Sequence, residues 1–325
     1  ASHHQHRQTF HGSKTEEVRC MAEVQGKTWT IRDLMKVSID HFQKKGIENA
    51  RLNVELLLAH ALALPRIQLY VNFDKPLTQS ELEQVRALFE RRLKREPVQY
   101  IIGTAGFMGL TFKVDPRVLI PRPETETLIE QAIFVAHTTE KHRPLEILEI
   151  GTGSGNIAVS LAKFIKDSHI TTLDVSKDAL QLARENATTY HVESQIDFFL
   201  FDIFEDVSSI LKPAYDLMIS NPPYIARDEW EELQPEVRQF EPATALTDNG
   251  DGLIFYRRIA ELAPKYLRED GKILVEVGSE QAPHVAAILR ESGFPALAVV
   301  DDLQEIPRVI CASRHAVAMQ QFPLN

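Results

Sequence analysis

From residue 120 to the end of the chain, short apolar runs alternate with segments of helical periodicity. This alternation limits the possible folds more than any other feature. "LEILEIG" (145–151) reads as a strand and "GNIAVSLAKFI" (155–165) as a helix. "HITTLDV" (169–175) is again strand-like, and "SKDALQLARENATTY" (176–190) helical. "IDFFLFD" (196–202) and "YDLMISN" (215–221) are further strands. A helix lies within "GDGLIFYRRIAELAPKYL" (250–267), followed by strand "GKILVEV" (271–277) and helix "APHVAAILRESG" (282–293). Residues 296–312 add strand material. Alternating β and α elements predict an α/β fold with a mostly parallel, doubly wound, Rossmann-like sheet. Such sheets bind ligands beyond the carboxyl ends of their strands.

Those strand ends carry the polar residues. The first strand runs into Gly151-Thr152-Gly153-Ser154-Gly155 and then a helix. Glycines there allow a tight turn and let a ligand approach backbone N–H groups. A dinucleotide fingerprint would place its third glycine at position 156, which is Asn, so the spacing is GxGxG. With acidic Glu149 before it, this pattern is similar to the first motif of S-adenosyl-L-methionine-dependent methyltransferases. The second strand ends near Asp174, whose carboxylate can accept both hydroxyls of a ribose. The third ends at Asp202, which can accept from an adenine amino group, with Ile203 or Phe204 placed to pack against the ring. The alternative reading makes Asp174 and Asp202 caps of the helices that follow.

The fourth strand ends at Asn221-Pro222-Pro223-Tyr224. Two prolines remove two backbone donors and stiffen the corner, and the residue before each is driven to extended geometry. The Asn221 side-chain carbonyl and the Pro222 backbone carbonyl are two acceptors suited to one NH2 group. The Tyr224 ring can stack on a planar group while its hydroxyl anchors locally. The corner fits a planar amide or an aminopurine; a rigid structural turn is the plainer reading.

The chain has 325 residues, enough for about two domains of ordinary size. Residues 28–96 have helical periodicity. The expected apolar faces are Ile31, Leu34, Ile39 and Phe42, then Leu52, Leu56, Ala59 and His60, then Leu82, Val85, Leu88, Phe89 and Leu93. Gly46 and Pro65 close the first two helices, and Thr78 with Glu81 forms a capping-box pattern for the third. His41 and His60 read as packing or rim residues, since no matching metal-ligand spacing exists. Residues 98–119 contain two β-rich runs around Gly103, Gly106 and Gly109 and read as a hairpin. Residues 1–20 hold His3, His4, His6 and His11 with little apolar periodicity. They read as a disordered leader or an added extension, with metal binding by the histidines as the alternative.

Net charge is −10, and the acidic excess lies in residues 98–325, while residues 21–97 are slightly basic. An acidic large domain argues against stable nucleic-acid binding. Cys20 and Cys311 are the only cysteines, which fits a reducing compartment, and no apolar run approaches the ~20 residues that span a bilayer. A cytoplasmic monomer is expected. A mitochondrial location would follow only if residues 1–20 were a eukaryotic transit segment, and their few basic residues, with Glu16 and Glu17, count against that.

Several motifs together resemble one family, the HemK/PrmC release-factor glutamine methyltransferases, over about residues 28–312. They are "EPVQYIIG" (96–103), "LIPRPETE" (119–126), "GTGSG" (151–155), "NPPY" (221–224), "FEPATAL" (240–246), "DGLIFYR" (251–257) and "LVEVGSEQ" (274–281). "NPPY" is shared with adenine-N6 methyltransferases of nucleic acid; "IPRPETE" discriminates better, also against enzymes that modify a ribosomal-protein glutamine. "DDLQEIPRV" is similar to the family's C-terminal stretch, but Glu305 stands where glycine is usual.

The resemblance implies S-adenosyl-L-methionine as cofactor and, as protein substrate, the glutamine of the Gly-Gly-Gln loop of peptide-chain release factors. It assigns cofactor contacts to Gly151–Gly155, Asp174, Asp202, Ile203 and Asn221. It assigns the substrate amide to Asn221, Pro222, Pro223 and Tyr224, with Asn221, Pro222 and Tyr224 as catalytic residues and no metal. It implies four regions: the leader 1–20, a substrate-docking helical bundle 21–97, a β-hairpin linker 98–119 and a catalytic domain 120–325. Phe107 is either close to the bound molecules or a plain core aromatic. Arg91, Arg92, Lys94 and Arg95 form either a solvated helix end or a docking surface. A non-catalytic adenosine-binding scaffold is the reading from another class.

Overall fold

The computed structural model describes residues 28–138 and 143–315. The histidine-rich start and its proposed leader lie outside the described residues, as does Cys20. The chain divides into two compact units, one ending at Leu93 and the next beginning at Lys94.

The first unit is helical: α1 (Ile31–Lys44), α2 (Ala50–Ala61), α3 (Arg66–Val71) and α4 (Gln79–Leu93). The Thr30 hydroxyl caps α1 by accepting from the Asp33 N–H. Gly46 ends that helix at φ +68°, a conformation a side chain disfavours. The capping box before α4 forms: the Thr78 N–H donates to Glu81 Oε2 at 2.8 Å, and the Glu81 N–H to Thr78 Oγ1 at 3.2 Å. The core gathers Phe42, Val54, Leu57, Leu58 and Leu69, and the Phe42 and Phe89 rings meet edge-on at 5.1 Å.

Two expectations are corrected here. The buried stripe of α2 is Ala50, Asn53, Val54, Glu55, Leu57 and Leu58, and Leu52 is 40% exposed. Periodicity alone missed this because two polar residues on the stripe are paired. Arg92 Nε donates to Asn53 Oδ1 at 2.7 Å, and Glu55 meets Tyr70 and Arg66. Arg92 is therefore a buried structural residue, removed from the basic edge expected at 91–95.

The second unit opens with a short helix, α5 (Val98–Ile102), where a β-rich run was expected. A five-residue apolar run is ambiguous by periodicity. Pro97 pre-sets a helical start, and Gly103, at φ +78°, stops it. Strands β1 (Thr104–Phe107) and β2 (Leu110–Lys113) then form an antiparallel hairpin.

The main sheet follows: β3 (Leu145–Ile150), β4 (Ser168–Asp174), β5 (Ile196–Leu200), β6 (Tyr215–Ser220), β7 (Leu267–Glu276), β8 (Ala296–Asp301) and β9 (Pro307–Ser313). Its order is β5-β4-β3-β6-β7-β9-β8, parallel except where β9 runs against β7 and β8. Helices α6 (Glu124–Thr138), α7 (Asn156–Phe164) and α8 (Lys177–Tyr190) cover one face. After the short α9 (Pro235–Phe240), α10 (Ile254–Tyr266) and α11 (Ala282–Glu291) cover the other. Side chains alternate between the two cores: Ile147, Leu217, Ile219 and Leu274 face the first, Leu148, Met218, Ile273 and Val275 the second. Central strands buried on both sides explain the nearly unbroken apolar runs in the sequence.

Strand order reverses between β3 and β6, so their carboxyl ends flank the topological switch point. Ser220 closes it, its hydroxyl donating to the Ile150 carbonyl at 2.7 Å. Glu305 does adopt the left-handed conformation, at φ +61°, and the turn is held by Asp302, whose Oδ1 accepts from Gln304 and Ile306 N–H. A non-glycine residue there costs about 1–2 kcal/mol, which those hydrogen bonds offset. No helix among the described residues is long and apolar enough to cross a membrane.

Candidate active site

A cavity of about 330 Å³ opens at the switch point. Its volume lies within the range of small-molecule sites. Gly151, Thr152, Gly153, Ser154, Asp174, Asp202, Ile203, Asn221, Pro222 and Pro223 all line it. Gly155, Tyr224 and Phe107 do not. Phe107 is fully buried against Phe112 and is a core aromatic.

The glycine loop is pinned to the end of β4: the Gly151 and Thr152 N–H groups donate to the Leu173 carbonyl at 2.9 and 3.2 Å. Gly153 and Gly155 are glycines for different reasons. A Cβ on Gly153 would meet nothing within 4 Å, so it is the left-handed φ of +53° that favours glycine there. At Gly155 a Cβ would lie 3.0 Å from the Ala183 Cβ, so this glycine lets α7 pack closely on α8. Asn186 ties the loop to the hairpin, donating to the Ser154 and Lys113 carbonyls at 2.9 and 3.0 Å.

Asp174 accepts from the Gly153 N–H at 2.9 Å and from the Ser176 N–H at 2.8 Å, one bond to each carboxylate oxygen. It thus locks the glycine loop, and each oxygen retains a further lone pair. The next helix is capped separately, by the Ser176 side chain. Burial raises the Asp174 carboxyl above its ordinary range, and the backbone N–H groups partly offset this. Asp202 is exposed and accepts from the Phe204 N–H at 2.9 Å. Ile203 is buried at the cavity wall, and Phe204 meets Phe255 edge-on at 5.1 Å.

Beneath the loop lies Glu149, fully buried, which accepts from the Thr172 hydroxyl at 2.5 Å. Burial pushes it up to about 8. A buried acid that holds its proton more tightly than the unfolded chain stabilises the fold below the ordinary glutamate pKa. That stability is lost as pH rises from there through about 8. Glu149→Gln should raise Tm by several degrees at alkaline pH and change it little in acid. A thermal unfolding series against pH checks this; equal Tm differences at both ends would contradict it.

The Asn221-Pro222-Pro223-Tyr224 corner is fixed by residues far away in sequence. Asn221 Nδ2 donates to Thr125 Oγ1 at 3.1 Å, and the Thr125 hydroxyl donates to Glu276 Oε2 at 2.6 Å. The Asn221 carbonyl oxygen is thereby left to the cavity. Tyr224 lies behind the corner: its hydroxyl is 3.5 Å from Glu276 Oε1 and its ring packs on the second core. Burial, with Glu276 beside it, raises the phenol well above its ordinary value. Gln281 Nε2 holds the Tyr224 carbonyl at 2.8 Å. A Cβ on Gly252 would strike that same oxygen at 2.5 Å, which requires glycine in "DGLIFYR". Asp248 organises the same loop, accepting from the Gly250, Gly252 and Ile254 N–H groups. The cavity's remaining wall is joined by Glu241, which accepts from Arg122 at 2.6 Å and from the Ile120 N–H at 3.0 Å.

Thr125, Glu276, Gln281, Gly252 and Glu241 were not singled out from the sequence. Each lies within a quoted motif, yet the contacts that place them in the site run to distant elements, up to 151 residues away for Thr125 and Glu276, so that pairing has no local signal. Among the described residues no group of three His, Cys, Asp or Glu side chains is arranged to hold a metal.

The donor set fits a methyl-donor nucleoside: free acceptors on Asp174 and Asp202, an apolar wall at Ile203, and a glycine loop open toward the cavity. Comparison with known proteins agrees. Residues 33–103 match the PrmC N-terminal domain family and residues 130–269 the methyltransferase small domain family. The chain is 43% identical over 282 residues to the release factor glutamine methyltransferase of Geobacter sulfurreducens, covering 87% of this chain and 96% of that protein. It is 42% identical over 285 residues to the one from Chlorobaculum tepidum, covering 87% and 96%. Among solved structures, the hMettl16 catalytic domain in complex with a MAT2A 3'UTR hairpin superposes with a TM-score of 0.52. That match covers 75% of this chain and 84% of that one at 17% identity, a likeness of fold alone. With near full-length identity of this order, the chain belongs to the release factor glutamine methyltransferase family.

Proposed function

We propose that this protein is an S-adenosyl-L-methionine-dependent protein-(glutamine-N5) methyltransferase. Its substrate is the side-chain amide of the glutamine in the Gly-Gly-Gln loop of peptide-chain release factors. The observation that carries this reading is the Asn221 amide, anchored through its NH2 on Thr125 so that a carbonyl oxygen faces the cavity. The site thus offers acceptors to an incoming NH2 group.

In the proposed mechanism, Asp174 holds the ribose hydroxyls, Asp202 the adenine amino group and Ile203 the adenine face, with the Gly151–Ser154 loop beside them. Gly155 contributes through helix packing. When bound, S-adenosyl-L-methionine supplies a sulfonium-activated methyl group with a thioether as leaving group. An amide nitrogen is a poor nucleophile because its lone pair is delocalised into the carbonyl. No base in the cavity is strong enough to deprotonate it before attack. Asn221 Oδ1 and the Pro222 carbonyl instead orient the NH2 and meet the positive charge that develops on nitrogen. Once the nitrogen carries its new bond and positive charge it is a strong acid, and its proton passes to solvent. Pro222 and Pro223 fix the direction of the acceptors, and Tyr224 braces the corner from behind.

The neighbouring readings are disfavoured. Methylation of an adenine in nucleic acid shares the "NPPY" corner, but the acidic charge balance opposes stable binding of a polyanion. We further infer a cytoplasmic monomer with no stable nucleic-acid or membrane partner. The helical unit docks the protein substrate, the hairpin links it to the catalytic part, and the exposed Arg91 remains a candidate contact where buried Arg92 does not. Incubation with labelled S-adenosyl-L-methionine should transfer label to an intact release factor. It should leave a Gln→Ala loop variant and duplex DNA unlabelled. Equal label on the loop variant, or label on DNA, would overturn the reading.

A further inference from the structure

Building on that amide-methylating reading, we infer that Thr125 and Glu276 are a positioning pair. They decide which end of the Asn221 amide faces the substrate, and so make the site select an NH2 group over a carboxylate. The two ends of an asparagine amide are nearly equal in shape and opposite in polarity, so only its hydrogen-bond partners fix the orientation. Thr125 Oγ1 can accept from Asn221 at 3.1 Å only while its own proton points elsewhere. It points to Glu276 Oε2, 2.6 Å away. Thr125 and Glu276 are both buried, at 1% exposure each, so water cannot substitute for either partner. With Glu276 ionised, every donor in the chain points from Asn221 toward the carboxylate, and successive hydrogen bonds strengthen one another. That polarisation increases the negative charge on Asn221 Oδ1, the atom proposed to meet the reacting nitrogen.

Protonation of Glu276 reverses the direction. The acid can then donate to Thr125, freeing the threonine proton for Asn221. The amide turns and presents its own NH2 to the substrate's NH2, a repulsive donor–donor pair. The other groups around Glu276 are Tyr224 after β6, Arg308 on β9, Glu124 at the start of α6 and Tyr256 on α10. Tyr256 donates to the Glu276 backbone carbonyl at 2.7 Å. Arg308 favours the carboxylate and Glu124 opposes it, while burial dominates and pushes Glu276 up to about 7. The reversal therefore falls in the neutral range. A glutamate in place of the substrate glutamine has no N–H to offer two carbonyl acceptors, so the ionised state rejects it.

The test compares wild type, Thr125→Ser, Thr125→Val and Glu276→Gln on intact release factor from about pH 5.5 to 9, with cofactor Kd by calorimetry. Wild-type kcat should fall as pH drops through about 7. Thr125→Val should lower kcat roughly 10–100-fold, the usual cost of removing a group that orients a ligand, with cofactor Kd unchanged. Thr125→Ser, which keeps the hydroxyl, should restore most of it. Glu276→Gln should lose the acidic limb. The second readout needs no substrate: the Asn221 side-chain NH2 resonance, identified by its loss in Asn221→Ala, should shift with a midpoint near 7 in wild type and not in Glu276→Gln. Near-normal kcat in Thr125→Val, or an NH2 resonance that ignores pH, would overturn the pairing. Absence of wild-type turnover on any release factor would instead count against the substrate reading, and the resonance would still decide the pairing.

Discussion

Asn221→Ala is expected to lower kcat by about 10²–10³-fold or more while leaving the cofactor dissociation constant within a few-fold of wild type. The substitution removes the side-chain carbonyl proposed to meet the developing positive charge on the substrate nitrogen. It leaves the glycine loop and Asp174 in place, because their hydrogen bonds run to β4 and to each other. It also strands the Thr125 hydroxyl without its donor, while Thr125 keeps its bond to Glu276. Stability should therefore change little. Single-turnover kinetics with an intact release factor, beside calorimetric titration of the cofactor, separates the effects. Turnover close to wild type would sink the positioning mechanism. A large loss of cofactor affinity with normal turnover would move Asn221 from the substrate side of the site to the cofactor side.

Asp174→Ala should weaken cofactor binding by roughly 10–100-fold, as expected for removing charge-assisted hydrogen bonds worth about 1.5–3 kcal/mol. A second loss accompanies it. Asp174 also holds the Gly153 and Ser176 N–H groups, so Tm should fall too. The two readings of this aspartate predict different pairs of results. A ribose ligand gives a raised dissociation constant in protein that is still folded. A residue that only braces the loop gives a lowered Tm and an unchanged dissociation constant. Calorimetry well below the variant's Tm distinguishes them, and an unchanged dissociation constant there would remove the ribose role.

Much of the fold was legible because its signals are local. The runs at 145–150, 215–220 and 271–276 are mostly apolar because both faces of those strands are covered, and segments of helical periodicity lie between them. The failures have equally physical causes. On α2 the expected stripe ran through Leu52, but Asn53 and Glu55 are buried instead, each satisfied by a partner from another helix. At 98–102 an apolar run of five residues fits strand or helix, and Pro97 and Gly103 settled it. Phe107 could not be assigned from sequence, since an aromatic on a hairpin can face either a ligand or the core; it faces Phe112.

The end of the site proposed to take the cofactor was written in the sequence. A glycine at φ +53° and carboxylates at successive strand ends are properties of single residues at the ends of single elements. The end proposed to take the substrate amide was only half written there. Asn221-Pro222-Pro223-Tyr224 announced a rigid corner with an amide on it, but nothing local tells which end of that amide faces the cavity. Tertiary structure decided it, by bringing Thr125 from α6 and Glu276 from β7 beneath the corner. The same folding turned Tyr224 away from the cavity toward Glu276, and Gly252 and Gln281 clamp its carbonyl in place. The orientation of a polar side chain is set by what donates to it and accepts from it. Those partners are chosen by the packing of distant elements, which residue spacing along the chain does not encode.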